Sequence, residues 1–312
     1  MLRSSWQTSV IAAIIVAAAA VIGGCGQFSP AYMKPLNKQS RAMLLGKGMT
    51  EESAILIRVF KAESELEVWK EREDGRFYHF KSYPICSYSG GLGPKIEEGD
   101  RQAPEGFYLV SMDQMNPKSQ YHLAFNVGFP NAFDRSHGRT GKFIMIHGDC
   151  TSRGCYAMTD GVMEEIYILA REALSGGQTN FQIHAFPFRM TAANMAAHEK
   201  HEWYDFWKNL KEGYDYFEVT RQAPRIAVCE RRYLINAVYD DTARFSASGT
   251  CPTHQKGQIA AFTPLPTPKS TQSASLTKPL GSVLGLRFGP SKANYSAFTL
   301  GPATPEASGK KR

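Results

Sequence analysis

The run Ile146-His147-Gly148-Asp149-Cys150-Thr151-Ser152-Arg153-Gly154-Cys155-Tyr156 brings one imidazole and two thiols into a single short loop. A thiol attacks a carbonyl as its thiolate, so it needs a base, and imidazole is the side chain suited to that near neutral pH. His147 ends a strand-like run and Cys155 follows a loop that turns back, which can place sulfur and imidazole in hydrogen-bonding reach. Gly154 removes a side chain where a substrate carbonyl must approach, and the local N–H groups are candidates for holding an oxyanion. Ser152 either orients the histidine or satisfies a loop carbonyl. The chemistry expected is acyl transfer, with Cys155 as nucleophile and His147 as base.

Upstream of this loop the chain reads as strands. Ala54 to Phe60, Glu65 to Lys70 and Phe77 to Ser82 come first, the last two flanking the turn signal Glu73-Asp74-Gly75 of an antiparallel hairpin. Gly106 to Met112, Tyr121 to Val127 and Lys142 to His147 follow, each bounded by Gly, Pro or Asn. Downstream, Val162, Ile166, Leu169, Ala170 and Ala173 recur at helical spacing over Gly161 to Leu174, with Asp160 placed to cap and Gly176-Gly177 to stop. Asn180 to Phe186 returns to strand. A second helix is expected over Ala192 to Lys211, with Trp203, Phe206, Trp207 and Leu210 packing on the sheet. The whole is a β-rich α+β pattern.

The two ends differ from this body. One Arg, an apolar run from Val10 to Ile22 and then small residues read as an export signal too short to span a bilayer comfortably. It ends in Ile22-Gly23-Gly24-Cys25, which resembles a bacterial lipobox, where a signal peptide is cut before a cysteine that is then lipidated; an ordinary cleaved signal and an uncleaved anchor are the alternatives. Gly26, rather than aspartate, follows that cysteine, which by the same resemblance favours the outer membrane. The net charge of +7 comes from residues 252–312, with eight Lys/Arg against Glu306; the remainder holds 28 of each sign. A neutral body gives no reason to expect a nucleic-acid partner. The tail also holds eight of the seventeen prolines and reads as disordered. The expected plan is a lipoprotein-type signal over 1–24, a tether over 25–52, a catalytic domain over 53–190, a helical extension over 191–251 and the basic tail.

The Ser152-Arg153-Gly154-Cys155 run after Ile146-His147-Gly148 resembles the active-site signature of the YkuD-type L,D-transpeptidases. Ala103-Pro104-Glu105-Gly106-Phe107-Tyr108 resembles the upstream Pro-x-Gly-aromatic element of that family. The compact loop, Gly154-Cys155-Tyr156-Ala157-Met158-Thr159 and His184-Ala185-Phe186-Pro187-Phe188-Arg189-Met190-Thr191 are similar to its YafK-like branch. The resemblance implies a β-sandwich catalytic domain with packed helices, a Cys155 acyl-enzyme with His147 as base, and no cofactor or metal. It implies a diaminopimelate-containing peptidoglycan stem peptide as substrate, an outer-membrane lipoprotein linked to it as a further partner, and transfer or hydrolysis as the outcome. Seven residues separate His147 from Cys155, fewer than in typical members; Arg153 stands where a histidine is common, and Tyr156-Ala157 where an apolar-Arg/Asn pair is usual. Arg153 and Tyr156 are therefore the candidates for altered substrate grip.

Duller readings compete. Removing Cys25 leaves five cysteines, so at least one thiol stays free. Cys150 could pair with Cys155, silencing it, or with Cys86, and Cys229 could bridge to Cys251. His147, Cys150 and Cys155 could be zinc ligands, although a fourth is not evident. His198, Glu199, His201 and Glu202 read as a solvated helix face, His184 as packing, and Gly90 to Pro94 as a loop beside the cleft. A wall-binding lipoprotein on the same fold, without activity, is the rival of a different class.

Overall fold

The structure is a computed structural model that describes residues 29–240 and 242–263. The export signal, Cys25 and residues 264–312 of the expected tail lie outside the described residues. The chain divides into two compact units, Met1–Lys34 and Pro35–Arg312. Among its described residues the first unit shows one 3-10 turn, Ala31–Met33.

In chain order the second unit carries α1 (Lys38–Gly46), β1 (Ile55–Phe60), β2 (Glu65–Glu71), β3 (Phe77–Pro84), β4 (Ser87–Tyr88), β5 (Gly106–Ser111), β6 (Met115–Asn116) and β7 (Ala124–Asn126). It continues with α2 (Ala132–Ser136), β8 (Met145–His147), β9 (Tyr156–Ala157), α3 (Asp160–Ser175) and β10 (Asn180–Phe186). Then come α4 (Ala192–Ala197), α5 (Tyr204–Thr220), β11 (Ile226–Cys229), β12 (Arg232–Ile235), β13 (Ala237–Tyr239) and β14 (His254–Lys256). One five-stranded sheet runs β3-β2-β1-β10-β5 and a second runs β4-β9-β8-β7-β6, with two short hairpins beyond them. The fold is β-rich α+β.

β1 is buried along its whole length because the first sheet is covered on both faces. Ile55, Ile57 and Val59 face α3 and the second sheet, where Phe125 meets Phe181 at 5.6 Å. Leu56, Arg58 and Phe60 alternate to the other face and lie under α5, with Trp207, Tyr214 and Phe217. Burying each such apolar side chain contributes about 1.5–3 kcal/mol. The ends of the two buried layers are tied by an ion pair: Lys61 Nζ and Glu105 Oε1 are 3.0 Å apart and fully buried. Lys61 also donates to Gly93 O and Ala103 O, while Glu105 accepts from Gly93 N–H and from Trp207 Nε1–H at 2.8 Å.

Six expectations are corrected. The tether contains α1, docked through buried Leu44 and through Ser40, which donates to Glu165 on α3. The long helix expected over Ala192 to Lys211 is two helices, and the second continues to Thr220. His198 and His201 sit at the break between them, packed on Phe188 and Trp207 at 4.4 Å rather than solvated. The extension over 191–251, expected to be helical, supplies α5 to the core and also carries strands β11 to β13. The expected tail boundary at 252 falls short, because His254 to Lys256 pair with β13 and Phe262 N–H donates to Val219 O. Asp160, expected as a cap, leaves that position to Thr159 and accepts instead from Asp149 N–H at 2.8 Å.

Candidate active site

β8 and β9 pair in parallel, aligning Ile146 with Tyr156 and His147 with Ala157. Cys155, one residue earlier, lies beside Met145, whose N–H donates to its sulfur at 3.4 Å. Alternate strand residues share a face. Met145 and His147 therefore project together, and the Cys155 sulfur stands diagonal to the imidazole across one strand gap. In the described residues the thiol donates to Phe143 O at 3.9 Å rather than to the ring.

The loop between them is held on every side. Gly148 N–H is shared between Tyr121 O and Leu123 O, both at 3.1 Å, and a Cβ at Gly148 would lie 2.6 Å from Asp160 Oδ1. Cys150 N–H donates to Met158 O, and Cys150 is bridged to Cys86. That bridge settles two readings left open by the sequence: Cys150 is neither a partner for Cys155 nor a thiolate for zinc. Cys229 bridges Cys251, and Cys155 is the free cysteine among the described residues. No cluster of three or more His, Cys, Asp or Glu in metal-binding array occurs there either. Backbone strain gathers at this place, with Arg101, His122, Phe143, Asp149 and Cys150 all at positive φ.

Ser152 closes the loop on itself and makes no bond to His147. Its Oγ donates to Cys155 O at 2.7 Å and accepts from Cys155 N–H at 3.2 Å and Gly154 N–H at 3.3 Å. The two amides considered for the oxyanion thus rest on a hydroxyl, in long bonds that a charged oxygen would replace. Gly154 has φ +121, a conformation that favours glycine, and packs against the backbone of Arg101 and Gln102. Arg153 is exposed at the loop tip and makes no ion pair within the described residues. Tyr156, expected to help grip substrate, is buried, and its hydroxyl donates to Pro104 O at 2.6 Å. It anchors β9 to the Ala103–Gly106 segment instead.

His147 Nδ1 lies 2.5 Å from Gly148 O. A carbonyl only accepts, so Nδ1 carries the proton and Nε2 keeps a lone pair. Burial holds the imidazole below its ordinary value of 6.5, against the Gly148 carbonyl and Asp149, which raise it. Burial pushes the Cys155 thiol up, against the Met145 N–H and the Lys95 ammonium, which pull it down. Both shifts favour the neutral forms, thiol and imidazole.

Two neighbours escaped the sequence reading. Tyr121 packs on His147 with ring centroids 4.9 Å apart and the rings tilted by 38°; the histidine is buried while the tyrosine itself is exposed. Lys95 is a buried cation held by Asp100 and by Glu97 O at 2.8 Å. Gly141, where a Cβ would meet Lys95 Cε at 2.8 Å, was its only trace in the sequence.

Over 227 residues, 73% of this chain and 89% of its relative, the sequence is 43% identical to the protein named "Putative L,D-transpeptidase YafK" in Escherichia coli K12, and equally to its counterpart in strain O157:H7. The chain belongs to the YafK branch of the L,D-transpeptidases. The loop from His147 to Cys155 is thus the place where this L,D-transpeptidase family member presents its free thiol. No family model matches the chain. Among solved structures it is similar to the helical cell shape determining protein Pgp2 from Campylobacter jejuni, at 22% identity and TM-score 0.36, covering 58% of this chain and 68% of that one. Bd1075 of Bdellovibrio bacteriovorus overlaps at 22% identity and TM-score 0.31, covering 56% of this chain and 66% of that one.

Proposed function

We propose that this L,D-transpeptidase relative is a cysteine acyl-transfer enzyme acting on diaminopimelate-containing stem peptides of peptidoglycan. The observation that carries the reading is the free Cys155 thiol set diagonally to an imidazole whose Nε2 is unprotonated. His147 Nε2 takes the Sγ proton as sulfur attacks an amide carbonyl, and the resulting oxyanion displaces Ser152 Oγ from the Cys155 and Gly154 amides. The imidazolium then returns its proton to the leaving amine, leaving a thioester on Cys155. Attack by a second amine completes a transfer; attack by water completes a hydrolysis.

The amide joining an outer-membrane lipoprotein to peptidoglycan is one such bond, to be made or cut. In this reading the protein is exported, lipidated at Cys25 and held at the outer membrane facing the periplasm, so its substrates lie close to that surface. Mass spectrometry of wall fragments from cells carrying Cys155→Ala tests it. Lipoprotein-linked fragments accumulate in the mutant if the enzyme is an amidase; diaminopimelate cross-links or lipoprotein links disappear if it is a transferase. An unchanged fragment profile would sink both versions in favour of a wall-binding role.

A further inference from the structure

Phe143 is the most exposed large apolar side chain near the sulfur, at 65% of its surface, and its carbonyl is the thiol's own hydrogen-bond acceptor. It sits at φ +56, left-handed backbone for which a bulky side chain is poorly suited. The flanking residues impose this. A Cβ at Gly141 would lie 2.8 Å from Lys95 Cε, and Ile144 is buried with its carbonyl accepting from Val127 N–H at 2.9 Å, so the positions on either side are closely fixed. The ring gains no burial in return. Its neighbour is Lys142, whose Nζ lies 5.9 Å from the ring centroid and has no carboxylate partner among the described residues. Left-handed backbone held by its surroundings, with an uncovered ring at a nucleophile, is the pattern of a residue kept for contact with something outside the fold.

We propose that Phe143 and Lys142 grip the acyl donor. The ring takes the methylene chain of an aliphatic diamino-acid residue, and the ammonium pairs with the carboxylate that chain carries. This rests on the acyl-transfer reading above and assigns the residues that choose its substrate. The Phe143 carbonyl lies 3.9 Å from the sulfur, so a side chain held by this residue lies next to the nucleophile. Arg153, exposed at the loop tip without an ion pair in the described residues, adds a second positive charge at the mouth.

Glycine at 143 separates backbone from ring, since it adopts positive φ freely. Binding of a diaminopimelate-containing tetrapeptide is measured by calorimetry with Cys155→Ala protein, so that no turnover intervenes, with and without Phe143→Gly. The expected results are at least a tenfold rise in Kd with Phe143→Gly, a thermal midpoint no lower than the parent's, partial recovery with Phe143→Leu, and a threefold or larger rise with Lys142→Gln. A Phe143→Gly Kd within twofold of the parent overturns the grip while leaving the acyl-transfer reading intact. Failure of the Cys155→Ala parent to bind the peptide at all overturns the substrate class and the grip together.

Discussion

The covered face of the first sheet and the loop from His147 to Cys155 lie in one compact unit but are stabilised by opposite means. Under α5, polar groups are buried and paired with other side chains: Arg58 Nη1 meets Glu218 at 2.6 Å within a cage of Phe60, Tyr214 and Phe217 rings, and Lys61 meets Glu105. In the loop, backbone groups are pinned by carbonyls, by the Asp160 carboxylate, by one hydroxyl and by a disulfide, with left-handed residues at Asp149 and Cys150. In the first, breaking a pair strands a buried cation, Arg58 or Lys61. The second places left-handed backbone beside a half-buried free thiol. Stability and reactivity are therefore expected to respond to different substitutions.

The sharpest way to break this comparison is on the scaffold side. Lys61→Met leaves Glu105 buried without its cation, and loss of about 3–5 kcal/mol is expected in urea unfolding, much of it regained in Lys61→Met/Glu105→Leu. A loss no larger than that of an exposed ion pair would show that the pair is not what ties these layers. Removing the Cys86–Cys150 bridge comes next. It closes 64 residues, for which chain entropy alone gives about 4 kcal/mol, but strain and residual structure make about 2–4 kcal/mol the expected cost. The sharper readout is kinetic: Cys86→Ser/Cys150→Ser is expected to slow alkylation of Cys155 roughly tenfold as the loop loosens. The Cys229→Ser/Cys251→Ser protein, lacking only the bridge far from the loop, is expected to lose stability without that slowing. Equal alkylation rates in the two double mutants would place loop order elsewhere.

The smallest expected effect is on pH. His147 acts as a base only when neutral, and burial lowers its pKa, so the neutral form persists to a pH below its ordinary 6.5. The acid limb of kcat/KM is expected below that value. Asp149→Asn removes a charge that raises the pKa and is expected to move the limb slightly further down. A limb above 6.5 would mean that negative charge beside the imidazole, from Asp149 or a Cys155 thiolate, outweighs its burial in the working enzyme.

Much of the scaffold was legible because periodicity is local. Ala54 to Phe60, Glu65 to Lys70, Gly106 to Met112 and Asn180 to Phe186 became β1, β2, β5 and β10 within a residue or so, and Gly161 to Leu174 became α3. The run from Tyr121 to Val127 shrank to Ala124–Asn126, since its first residues serve the active-site loop rather than a ladder. The helix break at His198 to Trp203 carries no glycine or proline, and stacking on Phe188 and Trp207 is what holds it. Nothing local in Ile-Leu-Ile-Arg-Val-Phe marks Arg58 as buried, because its partner Glu218 is 160 residues away.

By itself the sequence determined the alternation of strands and helices, the family resemblance and the compact loop that joins a histidine to a cysteine, all of them properties of residues close together along the chain. Tertiary structure decided which cysteine stays free among the described residues, that Ser152 serves its own loop, that Tyr156 is bonded to Pro104 O and that Lys95 and Tyr121 stand beside Cys155 and His147. Each of those follows from strand register and loop closure across tens of residues, where a single step of pairing changes which side chains share a face.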